Sequence, residues 1–241
     1  MTTAAAILQT NPRLSAGSAR LLLRAVDLCG PAGRLEALVN DGRPDAPFAA
    51  LVCHPHPLGG GTMHNKVVYH AMKALNDAAW GLECPVLRFN FRGVGLSQGI
   101  HDGQAETGDV LAALRWLENA YKRPIVAVGF SFGAAMVLEA CCNPLFQNSL
   151  PAVRALVALG LPAHAEGRDY SYPFLSTCNT PKFFISGDRD QYAPAERLAQ
   201  LTDSSSHPDR LRLIPDADHF FTGQLEPMQA ALAGWLKEQS L

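Results

Sequence analysis

The most specific chemical signal in the chain is Gly129-Phe130-Ser131-Phe132-Gly133. It falls where an apolar run of strand length, IVAVGF (125–130), meets a segment of helical period, 132–142. A serine on such a turn is strained and pushed outward, and glycines flank it because side chains there would collide with the neighbouring strand and helix. The helix N-terminus behind Ser131 adds partial positive charge where an oxyanion would form. A serine hydroxyl hardly ionises near neutral pH, so it needs a base, and the base needs a carboxylate to orient it.

Downstream, KFFISGDRDQYAP and RLRLIPDADHFF each read as a strand that ends in a polar loop, and each loop brings a residue type the chemistry requires. His219 is the candidate base. His207 falls in the polar SSSHPD stretch and is expected to be solvated. His101 and His164 lie upstream of the acid or in loops with no such strand before them. Asp190 and Asp188 are the candidate acids. Asp190 is favoured because it stands further out on its loop, whereas Asp188 is expected to hydrogen-bond loop amides. Asp216 and Asp218 are too close to His219 in sequence and are expected to shape its loop.

A second stretch, LVCHPHPLGGGTMHNK (51–66), crowds three histidines and a cysteine around a triple glycine. Zinc could use Cys53, His54, His56 and His64, since His-x-His is a genuine ligand spacing. Three points weigh against it: prolines lock the backbone around both histidines, the motif has no acidic ligand, and the downstream residues already account for the chemistry. The stretch follows a strand and precedes a helix, where an acyl-transfer enzyme places its second oxyanion donor. Pro55 and Pro57 have no N–H, so the His56 amide is the donor available between them. The glycines let the chain fold back beside the serine, and Thr62 is expected to cap the helix that begins near His64. The rings of His54 and His64 would then pack the pocket wall. In RFNFRGVGLS (88–97) the spacing is not that of a P-loop, so Arg92 is read as fixing a tight loop at a strand end.

These candidates need a frame to hold them. The runs at 19–28 and 33–41, split by Cys29-Gly30-Pro31-Ala32, predict an antiparallel hairpin. Six further strands are expected at 49–55, 84–91, 125–130, 154–161, 182–187 and 210–215. Runs this apolar suit strands covered on both faces. Helical spacing predicts Asn65–Ala79, Glu106–Tyr121, Phe132–Cys142, Pro194–Leu201 and Glu226–Lys237. Strand–helix alternation throughout means an α/β fold with a doubly wound, largely parallel sheet. The segment Leu161–Pro181 reads as a loop with a helical turn, in which Tyr170, Tyr172 and Phe174 could fold over a pocket.

Composition narrows the partners. The 241 residues carry a formal net charge of -2 with no basic stripe, which argues against nucleic acid. No segment approaches the apolar length of a membrane helix. Residues 1–17 read as a loose leader rather than a signal peptide, and 1–241 as a single domain. Six cysteines without a CxxC pair are expected to be reduced, buried thiols in a cytoplasmic protein.

With Ser131, Asp190, His219 and HPHPLGGGTMHNKV in view, the chain resembles the α/β-hydrolase superfamily over nearly its whole length. It is most similar to the small, lidless bacterial branch with an HPHP–GGT–NKVV loop, an RFNFRGVG–S–G loop, GxSxG and a GDxD loop. The resemblance implies an eight-stranded, mostly parallel sheet with helices on both faces, no large lid, and a Ser-His-Asp triad. It further implies an oxyanion hole of the Phe132 and His56 amides, although His54-Pro55-His56 stands where many members have His-Gly. The expected activity is cleavage of small carboxylic esters through an acyl-enzyme on Ser131, with no cofactor and no metal. Amide, thioester or lactone cleavage on the same fold, or a non-catalytic binding role, are the alternatives. Serine at the elbow argues against chemistries that need an aspartate there.

Overall fold

Strands whose side chains are apolar on both faces must be covered on both, and this decides the architecture. The structure, a computed structural model, describes residues 22–165, 168–203 and 210–239. The expected leader and His207 lie outside them. In chain order the elements are β1 (Leu23–Gly30), β2 (Gly33–Asn40), β3 (Ala49–Cys53), α1 (Lys66–Asn76), β4 (Val86–Phe89), α2 (Glu106–Tyr121), β5 (Ile125–Phe130), α3 (Phe132–Cys142) and β6 (Val153–Leu159). Then follow a small ribbon of β7 (His164–Ala165) and β8 (Arg168–Asp169), β9 (Lys182–Gly187), α4 (Ala195–Asp203), β10 (Arg210–Ile214) and α5 (Leu225–Glu238).

Eight strands form one sheet in the order β1-β2-β4-β3-β5-β6-β9-β10. Strand β2 runs antiparallel to both β1 and β4, and the remaining pairs are parallel. The opening hairpin is tighter than expected, with Gly30 paired to Gly33 and only Pro31 and Ala32 in the turn. Alternate residues of the inner strands β3, β4, β5, β6 and β9 feed two separate cores. From β5, Ile125 and Ala127 pack with Val110 and Leu114 of α2 and with Val137 of α3, whereas Val126, Val128 and Phe130 pack with Val67 of α1 and with Met228 and Leu232 of α5. Burial on both sides explains why β3 and β5 are continuous apolar runs, and β4 and β9 are likewise buried at every residue.

The chain leaves β3 through α1 toward β4, then returns through α2 to place β5 on the other side of β3. Strand order therefore reverses between β3 and β5, and ligand crevices in open α/β sheets form at the carboxyl ends of such strands. Ser131 follows β5 and the histidine loop follows β3, so the topology brings both signals to one place.

Two expectations need correction. The segment after β6 is more than a loop: it carries the β7–β8 ribbon and a short 3-10 turn at Pro173–Thr177. Its aromatic side chains pack downward. Tyr172 is buried and donates from Oη to the Pro162 carbonyl at 2.7 Å, while Tyr170 and Phe174 lie against the core cluster. Nor are all the cysteines reduced. Cys142, in the last turn of α3, forms a disulfide with Cys178, 36 residues on. Packing of that turn against Cys178 creates the proximity, which no spacing in the sequence encodes. Cys53, Cys84 and Cys141 are free and buried, as expected, and burial pushes the Cys141 thiol up to about 12. Cys29 is free but exposed. Among the described residues, no helix is long and apolar enough to cross a membrane.

Candidate active site

The turn at Ser131 is as tight as the glycine spacing predicts. Ser131 has φ 55° and ψ −120°, a conformation that costs a non-glycine residue about 1–3 kcal/mol. A Cβ at Gly129 would lie 2.3 Å from the Gly133 carbonyl oxygen, and one at Gly133 would lie 2.5 Å from that of His54. Both glycines are therefore demanded by close backbone approach, the second one pressing the start of α3 onto the end of β3. Phe132 is the first residue of α3, so its N–H has no carbonyl within the helix to bond.

The three residues singled out in the sequence are brought together. Ser131 Oγ is 3.0 Å from His219 Nε2, and His219 Nδ1 is 2.8 Å from Asp190 Oδ2. Asp190 is 4% exposed and His219 5%, so the contact is shielded from water. The carboxylate is fully occupied: Oδ2 also accepts from Ser186 Oγ at 3.0 Å, and Oδ1 accepts the N–H groups of Tyr192 and Ala193 at 2.9 and 3.2 Å. A carboxylate so bound keeps its lone pairs for the imidazole N–H, which fixes Nδ1 as the protonated nitrogen and leaves Nε2 to accept from the serine. The rings of Phe130, Tyr192 and Phe220 surround the imidazole at centroid distances of 5.0, 4.8 and 5.2 Å.

Of the two candidate acids, Asp190 is the one hydrogen-bonded to His219. Asp188 is exposed, and its backbone N–H donates to the Ile214 carbonyl at 3.1 Å. The amide-binding role expected of Asp188 falls to Asp190, which performs it in addition to holding His219. Asp218 shapes the His219 loop as expected, its Oδ1 accepting from the N–H groups of Phe220 and Thr222 at 3.0 and 2.9 Å. The Thr222 amide is the main cause that holds the Asp218 carboxyl below its ordinary range. Asp216 pairs instead with Arg189 across the two loops.

The histidine loop is scaffold in its first half. His54 is fully buried, Nδ1 bonding the Pro55 carbonyl at 2.7 Å and Nε2 accepting from the Phe91 N–H at 3.0 Å. Both nitrogens are committed, and desolvation lowers the ring's pKa to about 4, so it stays neutral. His54 has no ring lone pair left for zinc, and burial pushes the Cys53 thiol well above its ordinary value, away from the thiolate form that ligates metals. Among the described residues, no three His, Cys, Asp or Glu side chains converge as metal ligands. His56 is exposed, its Nδ1 accepting from the Leu58 N–H at 3.2 Å and its ring lying 5.0 Å from that of Phe132. Thr62 is not the helix cap: its Oγ1 accepts from the His64 N–H, and Asn65 Oδ1 caps α1 by accepting from Val67 N–H at 2.9 Å.

RFNFR (88–92) proves to be the brace for this loop. Asn90 Oδ1 accepts the Met63 N–H at 2.8 Å and Arg88 donates to the Met63 carbonyl at 3.2 Å, gripping one residue from both sides. Arg92 fixes its own loop as expected, with Nε and Nη2 on the two oxygens of fully buried Asp109 at 3.0 and 2.7 Å. Sequence reasoning missed the Asn90 and Ser186 contacts, although polar residues inside otherwise apolar strand ends were a visible cue.

Sheet order, switch point and serine turn together define an α/β-hydrolase fold. Residues 50–230 match the alpha/beta hydrolase domain model, and the chain belongs to that family. It is 37% identical over 216 residues to an uncharacterized protein of Rickettsia prowazekii, covering 86% of each. Among solved structures it is similar to an alpha-beta serine hydrolase homologue from Coxiella burnetii, with 33% identity, a TM-score of 0.75, and coverage of 88% of this chain and 97% of the other. A serine hydrolase without lid from Xanthomonas campestris has 30% identity and a TM-score of 0.74 over 89% and 94% of the two chains. In this chain, too, no large lid is inserted among the described residues.

Proposed function

We propose that the protein is a serine esterase acting on small carboxylic esters, with Ser131 as nucleophile, His219 as base and Asp190 as orienting acid. The observation that carries this reading is the continuous Ser131–His219–Asp190 hydrogen-bond chain, at 3.0 and 2.8 Å, beneath a helix N-terminus. Ser131 Oγ attacks the ester carbonyl while His219 Nε2 takes its proton, and Asp190 stabilises the resulting imidazolium. The tetrahedral oxyanion is held by the Phe132 N–H, which has no helical acceptor, and by the His56 N–H, each contributing about 3 kcal/mol. His219 then returns the proton to the leaving alcohol. Water, deprotonated by the same imidazole, cleaves the acyl-enzyme and regenerates Ser131. No step calls on a cofactor. Short acyl chains suit a site over which no large lid is inserted among the described residues.

Hydrolysis of a p-nitrophenyl ester series by wild type and Ser131→Ala tests the assignment. We expect a loss in kcat/KM of about a thousandfold or more in the variant, with covalent labelling of wild type alone by a fluorophosphonate. Equal, slow rates in the two proteins with no labelling would overturn it.

A further inference from the structure

One imidazole–carboxylate pair beside the site has no part in that mechanism. His101 Nδ1 is 2.6 Å from Glu106 Oε1, and Glu106, in the first turn of α2, is fully buried. The Glu106 carboxylate also accepts the N–H groups of Asp102 at 3.1 Å and Gly103 at 3.0 Å. Acceptors so arranged place the His101 proton on Nδ1 and leave the neutral ring's lone pair on Nε2. No protein group bonds that nitrogen among the described residues. It is not buried either, since Arg88 Nε is the one buried side-chain nitrogen or oxygen among them without a partner. His101 Nε2 therefore opens on solvent from a side chain that is only 12% exposed.

Its place matters. The His101 ring lies 4.9 Å from that of His56 and 5.5 Å from that of Phe132, and those two rings are 5.0 Å apart. His56 and Phe132 are the residues whose amides would face the oxyanion, and Phe132 directly follows Ser131. A fixed hydrogen-bond acceptor thus stands on the oxyanion side of the nucleophile. Leu58 and Ile100, in the same two loops, are 83% and 84% exposed and offer apolar surface beside it. The arrangement repeats that of His219 and Asp190, except that among the described residues no protein hydroxyl occupies the open nitrogen.

We propose that His101, oriented by Glu106, is a specificity-determining residue that accepts a hydrogen bond from a hydroxyl carried by the substrate close to its scissile carbonyl. The preferred substrates are then hydroxyl-bearing esters rather than plain alkyl esters. The inference rests on Ser131 being the nucleophile, and it goes beyond that reading by naming the substrate class.

The test uses matched esters: p-nitrophenyl β-hydroxybutyrate against the butyrate, and hydroxyethyl butyrate against propyl butyrate. One good hydrogen bond predicts about a tenfold higher kcat/KM for the hydroxyl-bearing member of one pair, and the pair that responds places the hydroxyl on the acyl or the alcohol side. His101→Phe, which keeps a ring in the aromatic triangle, should bring that ratio to about one, and His101→Gln, which restores an acceptor, should recover part of it. A wild-type ratio near one in both pairs overturns the inference without needing a variant, as does a ratio that persists in His101→Phe. If wild type cleaves none of the four esters and takes up no fluorophosphonate, the hydrolase reading falls and this inference falls with it.

Discussion

His54 and His219 are both buried, and both have their two ring nitrogens engaged, yet their partners give them opposite work. His54 bonds only backbone, a carbonyl on one side and an N–H on the other. Neither group can supply or take a charge, so burial holds the ring neutral and it serves as a pin between the β3 loop and the β4 loop. His219 bonds a carboxylate and a hydroxyl. In the proposed mechanism the carboxylate behind the ring stabilises the imidazolium as it forms, and the hydroxyl in front supplies the proton. Burial alone does not make a histidine a base; the chemical type of its two neighbours does.

Substitutions at the two residues should separate sharply. His219→Ala is expected to lower kcat by about 10⁴–10⁶-fold at nearly unchanged folding stability, measured by ester turnover beside thermal melting. A loss of less than tenfold would dissolve the distinction. Asp190→Asn should cost about 10⁴-fold, because an amide can donate to Nδ1 and trap the wrong tautomer, leaving Nε2 protonated against the serine. Its pH–rate profile should be compared with that of wild type.

His54→Gln should act on stability instead, lowering the unfolding free energy by about 2–4 kcal/mol through mispaired groups at the Pro55 carbonyl and Phe91 N–H, measured by urea denaturation. It should also change the pH dependence. The folded ring titrates at about 4 against an ordinary 6.5, so the unfolded chain binds more protons between those values. His54 therefore contributes stability that is fully present above pH 6.5 and drains away as pH falls toward 4, by about 3 kcal/mol in all. The variant should lack that part of the acid loss. The smallest effect is expected for Ser186→Ala, which removes one of four donors to Asp190 and should lower kcat by about three- to tenfold with KM little changed.

How far each of these roles could be read in advance follows the range of the forces involved. All eight strands of the main sheet and the five α-helices among the described residues were legible, because period and apolar runs act over a few residues and burial on both faces leaves its mark in the inner strands. Helices α2 and α3 match their expected limits. The Ser131 turn was legible for the same reason: its glycines answer contacts made by a strand, a turn and a helix adjacent in the chain. The Cys142–Cys178 disulfide was not, since it depends on where a 36-residue excursion returns.

The sequence by itself determined the α/β alternation, the serine turn and the short list of residues that could serve it, because local sterics and hydrophobic pattern are written in neighbouring positions. Only the tertiary structure decided which partners each member of the list meets. It buried Asp190 and left Asp188 in water, committed both nitrogens of His54 to backbone, gave the cap of α1 to Asn65, and joined His101 to Glu106. Such choices turn on angstrom distances and on exclusion of water at the ends of strands that meet in space, and the order of residues along the chain does not carry either quantity.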